Sequence, residues 1–131
     1  MPTGLPFHPV LVHFPIALYA LELWLLLLWV WKNDTAFRRF ALITFKLGYF
    51  SMLASVATGI IDHGGLQRLE GPVAVHFYLA LGVAAVYTAR AVGWAVRGTE
   101  SPRDRFFQIA GAIAGNLMMF GAAYAGGRLV Y

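Results

Sequence analysis

The residues best suited to chemistry in this chain are its four histidines, His8, His13, His63 and His76. With no cysteine present, imidazole, carboxylate and thioether are the only side chains left as metal donors, and disulfides, thiolate sites and iron–sulfur ligation are excluded. Two of the histidines open the run HPVLVHFP at residues 8–15, His63 follows Asp62 in GIIDHG, and His76 lies in VHFYLAL. Such a set admits two chemistries. One is ligation of a haem iron by a pair of imidazoles; the other is a zinc or copper site drawn from His8, His13, His63 and His76. No nucleophile paired with a base, no phosphate loop and no hydrolase motif accompanies them, so bond-making catalysis is not expected.

The elements that position these residues follow from composition. Hydrophobic residues make up 60% of the 131 and charged ones 12%, with a mean hydropathy of +0.66. A water-soluble domain this small cannot hide that much apolar surface. Four apolar stretches, about Val10–Trp31, Phe37–Ile61, Pro72–Val96 and Arg105–Ala125, each approach the roughly 20 residues that cross a bilayer as helix. The expected fold is an all-α, integral membrane four-helix bundle forming one domain over residues 1–131, without a soluble appendage or a cleavable leader. Although the sequence pI is near 9.8, the cations sort by membrane side, which argues against nucleic acid as a partner. Lys32, Arg38, Arg39, Lys46, Arg90, Arg97, Arg103 and Arg105 fall in or near the first and third linkers, and Arg68 and Arg128 fall toward the other side. The positive-inside rule then sets both termini outside.

That topology gathers the histidines at the outer end. His13 and His76 each lie three to four residues inside their helices, roughly 5 Å below one boundary at about 1.5 Å per residue, so they are expected to converge as a ligand pair. Ala17 follows His13, and Ala80 follows His76, at four residues. Small side chains beneath both imidazoles would leave a slot for a flat macrocycle. The stripe Thr44, Gly48, Ser51, Ser55, Thr58 and Asp62 on the second helix and Gly111, Gly115 and Ala122 on the fourth suit the same slot, or equally close helix packing. Asp62 has the chemistry to orient a ligating imidazole, to pair with Arg128, or to cap the third helix. Pro15 removes a bond to the Leu11 carbonyl and should bend the first helix beside His13, whereas Pro9 suits a first turn.

Deeper in the bilayer, Glu22 and Lys46 are at matched depth on antiparallel helices and are expected to pair, because a lone charge there costs about 3 kcal/mol. Around the helix both point away from the slot, which suggests either an edge groove between the first two helices or a face for another membrane subunit or a second copy. Asn116 is expected to hydrogen-bond between helices. Aromatic residues crowd both ends as membrane belts in contact with lipid.

The segments HPVLVHFPIAL, GIIDHG, VHFYLAL and GGRLVY together resemble the DUF2231 family of small bacterial four-helix membrane proteins, over almost the whole chain. The most specific parts are His8, Pro9, Val12, His13, Phe14 and Pro15 at the start and Gly126, Gly127, Leu129, Val130 and Tyr131 at the end. The resemblance implies a multi-pass protein of the bacterial inner membrane. Members of the family often continue past that tyrosine into a histidine-bearing tail, so the resemblance implies that a ligand carried there would be missing from this chain. Rieske-type modules beside the domain in some relatives imply redox company. Two functions of different class follow from the residues and the resemblance: a b-type haem electron carrier using His13 and His76, with Asp62, Ala17 and Ala80 around the cofactor, or a non-catalytic accessory subunit of a respiratory or photosynthetic complex.

Overall fold

The computed structural model describes residues 7–66 and 69–130, so Arg68 and Tyr131 lie outside the described residues. The described residues form five helices and no strand: α1 (Phe7–Leu11), α2 (His13–Lys32), α3 (Thr35–His63), α4 (Gly71–Val96) and α5 (Pro102–Val130). The first two make one span interrupted at Val12, giving four helices long and apolar enough to cross a membrane. The interruption falls where Pro15 withholds an N–H from the Leu11 carbonyl and its ring crowds that oxygen. At 29 residues, α3 is about 43 Å long and outreaches a hydrocarbon core of about 30 Å.

Each connection carries its own stop signal. Asn33 adopts the left-handed conformation after α2, and Asp34 caps α3 by accepting from the Ala36 N–H at 2.9 Å. Gly64, at φ 82°, ends α3 while the Gly64 and Gly65 N–H groups donate back to Ile61 and Ile60. Before α5, Ser101 and Asp104 cap reciprocally: the Asp104 N–H donates to Ser Oγ at 3.1 Å and Ser Oγ–H donates to the carboxylate at 2.8 Å.

The helices pack as two hairpins, α2 with α3 and α4 with α5, joined mainly along α2 and α5 and less along α3 and α4. Tyr19, Leu26 and Trp29 of α2, Phe45 and Met52 of α3, Val83 and Tyr87 of α4, and Ala112 and Met119 of α5 fill the middle. The rings of Tyr19 and Tyr87 stack there with centres 3.6 Å apart and planes 8° from parallel. Asn116 fastens this layer by donating to the Tyr19 carbonyl and to the Tyr87 hydroxyl, both at 3.3 Å, which is the expected bond between helices.

The buried ion pair corrects the expectation for Glu22 and Lys46. Glu22 is wholly buried and binds Arg90 of α4, with Arg90 Nη1 donating to Glu22 Oε2 at 3.1 Å and Nη2 to Oε1. Arg90 Nε also donates to Gln108 of α5 at 3.1 Å, and the Gln108 amide returns a bond to the Arg90 carbonyl at 3.0 Å. Arg90 is therefore an internal clamp between the hairpins rather than one of the surface cations of the third linker. Lys46 is exposed, because α3 turns Thr44, Phe45 and Gly48 inward and leaves Lys46 outward with Ile43, Leu47 and Phe50. With Glu22 enclosed, no Glu22/Lys46 face exists for a partner.

Several glycines of the spans serve as seats for polar side chains. A Cβ on Gly111 would lie 3.0 Å from Arg90 Cδ, and one on Gly115 would lie 2.8 Å from the Tyr87 ring. The Gly111–Gly115 pair thus admits two large side chains, beyond the close backbone approach that such spacing usually serves. Gly115→Ala should destabilise the fold by about 1–3 kcal/mol through overpacking, seen as a lower melting temperature in detergent. At Gly121 an added Cβ meets nothing within 4 Å, and Gly121→Ala should cause no loss.

Candidate functional site

At one end of the bundle the hairpins part around a cavity of about 670 Å3, lined from all five helices and from the segment after α3. All four histidines line it. Its walls are mainly aliphatic, and Met52, Val83 and Met119 floor it against the stacked tyrosine layer, where the Tyr19 hydroxyl donates to Met52 Sδ at 3.7 Å.

The imidazole that meets His76 is that of His8. Their ring centres are 5.9 Å apart with planes at 73°. The inward stripe of the first span runs Pro15, Tyr19, Glu22, Leu26 and Trp29, and His8 lies seven residues before Pro15, on the same side of the helix. His13 falls off that stripe and is exposed at the rim. The depth match expected of His13 and His76 is thus overridden by helix rotation. Ala80 lines the cavity as expected, whereas Ala17 is exposed and off its wall.

Both paired imidazoles are held in the same manner. His8 Nδ1–H donates to the Ser55 carbonyl at 2.7 Å, and His76 Nδ1–H donates to the Ala122 carbonyl at 2.8 Å. A carbonyl only accepts, so each Nδ1 carries the proton, and in the neutral ring Nε2 keeps its lone pair. A backbone carbonyl on the far nitrogen is the usual outer support of a metal-ligating histidine. Each ring also rests on a glycine: a Cβ on Gly59 would come within 2.9 Å of His8 Nδ1, and one on Gly126 within 2.8 Å of His76 Cε1. Asp62 takes a role absent from the expectations, since its Oδ2 accepts from the His8 backbone N–H at 3.0 Å. The carboxylate caps the first turn of α1 and ties it to the end of α3. His63 lines the cavity and is exposed.

Most of the α3 stripe satisfies itself. Thr44 donates to the Phe40 carbonyl, Ser51 to Gly48, Ser55 to Ser51 and Thr58 to Ala54. Of that stripe only Ser55 and Asp62 line the cavity, together with Gly59 from the same helix. Among the described residues, no three histidine or acidic side chains are grouped closely enough to hold a metal ion.

What can be done here chemically is therefore limited and specific: two imidazoles fixed through Nδ1, each able in its neutral form to offer one lone pair, beside an apolar space. These features define a four-span helical membrane protein with a histidine cleft at one end. The family described as "predicted membrane protein (DUF2231)" matches residues 4–131, and the chain belongs to it. No curated protein and no solved structure matches the chain.

Proposed function

We propose that this protein binds a b-type haem in the cleft through Nε2 of His8 and Nε2 of His76 and serves as a one-electron carrier in the bacterial cytoplasmic membrane, with the cleft at the outer face. The observation that carries this reading is the shared anchoring of the two imidazoles, Nδ1 to a backbone carbonyl in each, with the rings 5.9 Å apart. Two metal–nitrogen bonds of about 2.0 Å and the radii of two five-membered rings bring imidazole centres on opposite sides of one ion to roughly 6 Å.

A macrocycle suits the donor set better than a bare ion. Zinc asks for about four protein ligands or three with a water, and the described residues supply no such group. A haem iron draws four nitrogens from its own ring and needs only the two axial ones. The cavity, about 670 Å3, is also within the roughly 300–1,000 Å3 common for cofactor sites, and it is apolar as such sites are. When bound, the haem would supply a one-electron couple at an iron with both axial positions filled, which favours electron transfer over oxygen activation. The protein's own contribution is to fix the two tautomers, to exclude water with the aliphatic walls, and to keep α1 in place through Asp62.

The test is an absorption spectrum and an iron determination on protein purified in mild detergent from cells supplied with haem. A Soret band with low-spin visible bands and one iron per chain is expected. A folded, colourless protein without iron, after haem is offered again in vitro, would refute the proposal.

A further inference from the structure

The opposite end of the bundle carries a second concavity that the histidine cleft does not involve. Between the last turns of α4 and the start of α5 lies a groove of about 360 Å3, lined along its length by Ala89, Val92, Gly93 and Val96 and bounded at its mouth by Arg97 and Arg103. Eight residues separate Ala89 from Arg97, about 12 Å of helix. The groove faces outward: Val92 is 58% and Val96 77% exposed. On a membrane-spanning helix that exposure is to lipid acyl chains.

Charge at the mouth is unbalanced. Arg97 is 3.5 Å from Asp104, the one carboxylate that lines the groove, and its side chain is still 60% exposed, while Glu100 of the same connection lies 3.8 Å from Arg38 instead. That carboxylate is already engaged by the Ser101 hydroxyl in capping α5. Arg103 is exposed and has no ion-pair partner among the described residues. An apolar channel about 12 Å long beneath two guanidinium groups, only one of which has an acid beside it, complements an anionic headgroup attached to a hydrocarbon chain.

We propose that this groove is a binding site for one anionic phospholipid, its phosphate between Arg97 and Arg103 and one acyl chain along Ala89 to Val96. Guanidinium is the side chain suited to a phosphate because its planar fork donates two parallel bonds. The positive-inside rule puts this end on the side whose leaflet faces the cytoplasm.

The test counts bound lipid by native mass spectrometry on purified protein in detergent offered equal amounts of phosphatidylglycerol and phosphatidylcholine. Each surface arginine contributes roughly fivefold toward an acidic lipid, so wild type should retain phosphatidylglycerol over phosphatidylcholine by at least about fivefold. Arg97→Gln/Arg103→Gln should bring the two lipids to parity. Ala89→Phe, which blocks the foot of the channel at an exposed position, should lower the phosphatidylglycerol adduct with the arginines intact. Lys46→Gln, an exposed cation elsewhere in the span, should change nothing. Parity in wild type, a preference that survives the double arginine substitution, a full adduct with Ala89→Phe, or an equal loss with Lys46→Gln would each overturn the site. Melting temperatures recorded on the same samples separate lipid loss from unfolding.

Discussion

Arg90→Leu will cost the fold about 3–5 kcal/mol, the largest stability loss expected of any single exchange in this chain. The substitution leaves Glu22 wholly buried without a counter-charge, and water is not at hand in the middle of a bundle to solvate it. Gln108 loses the donor to its Oε1, and the space that the guanidinium fills between Glu22 and Gln108 becomes a void. Both hairpins contribute to this knot, α2 through Glu22 and α4 with α5 through Arg90 and Gln108, so the damage falls on their association. Thermal unfolding in detergent, followed by tryptophan fluorescence, should show a large drop or failure of the variant to accumulate. The double variant Glu22→Leu/Arg90→Leu should recover much of the loss, because apolar pairs commonly replace buried ion pairs at little cost. Lys46→Leu should stay within about 0.5 kcal/mol of wild type. A wild-type melting temperature for Arg90→Leu would show that the pair does not join the hairpins.

The second large effect is on the cofactor proposed for the cleft. His8→Ala and His76→Ala should each abolish the low-spin haem spectrum, since either leaves one axial position without a protein ligand. His13→Ala should retain it in full, its ring being exposed at the rim. Asp62→Asn should weaken haem retention without abolishing it, because the neutral oxygen still accepts from the His8 N–H but no longer offers a charge to the start of α1. Spectra of the four variants at equal protein concentration decide the matter. Equal loss in His13→Ala and His8→Ala would deny the two histidines different roles.

Much of the architecture was legible in the sequence, and the errors share one cause. Span number and helical class follow from apolar run length, and the break beside Pro15 follows from a missing N–H. Matched depth is what pairs His13 with His76, and Glu22 with Lys46, in the sequence. Depth fixes only the height of a residue on a helix. Rotation decides which way it faces. Glu22 lies nine residues from His13, about half a turn around the helix, so they face opposite ways; the inward one is Glu22. The run His8, Pro15, Tyr19, Glu22, Leu26 and Trp29 keeps heptad spacing, and extending it back through HPVLVHFP selects His8. On α4 the same reasoning applies to Arg90, which stands in register with the buried residues Val83, Tyr87 and Trp94 and thus belongs to the interior. What the sequence could not disclose is the carbonyl support of the imidazoles. Main-chain oxygens of Ser55 and Ala122 leave no mark in residue type. Glycines offered an indirect sign, since Gly59, Gly111, Gly115 and Gly126 lie where His8, Arg90, Tyr87 and His76 need room, although small residues in membrane helices more often signal backbone packing.

Imidazole rescue of His76→Gly most directly tests ligation at the cleft, because it separates the ligand from the fold that carries it. The vacated space beside Gly126 and the Ala122 carbonyl should accept a free imidazole in the orientation of the lost side chain. Titrating imidazole into the haem-loaded variant should restore the low-spin spectrum of wild type. An unchanged spectrum at saturating imidazole, with wild type low-spin under the same conditions, would contradict His76 as an axial ligand.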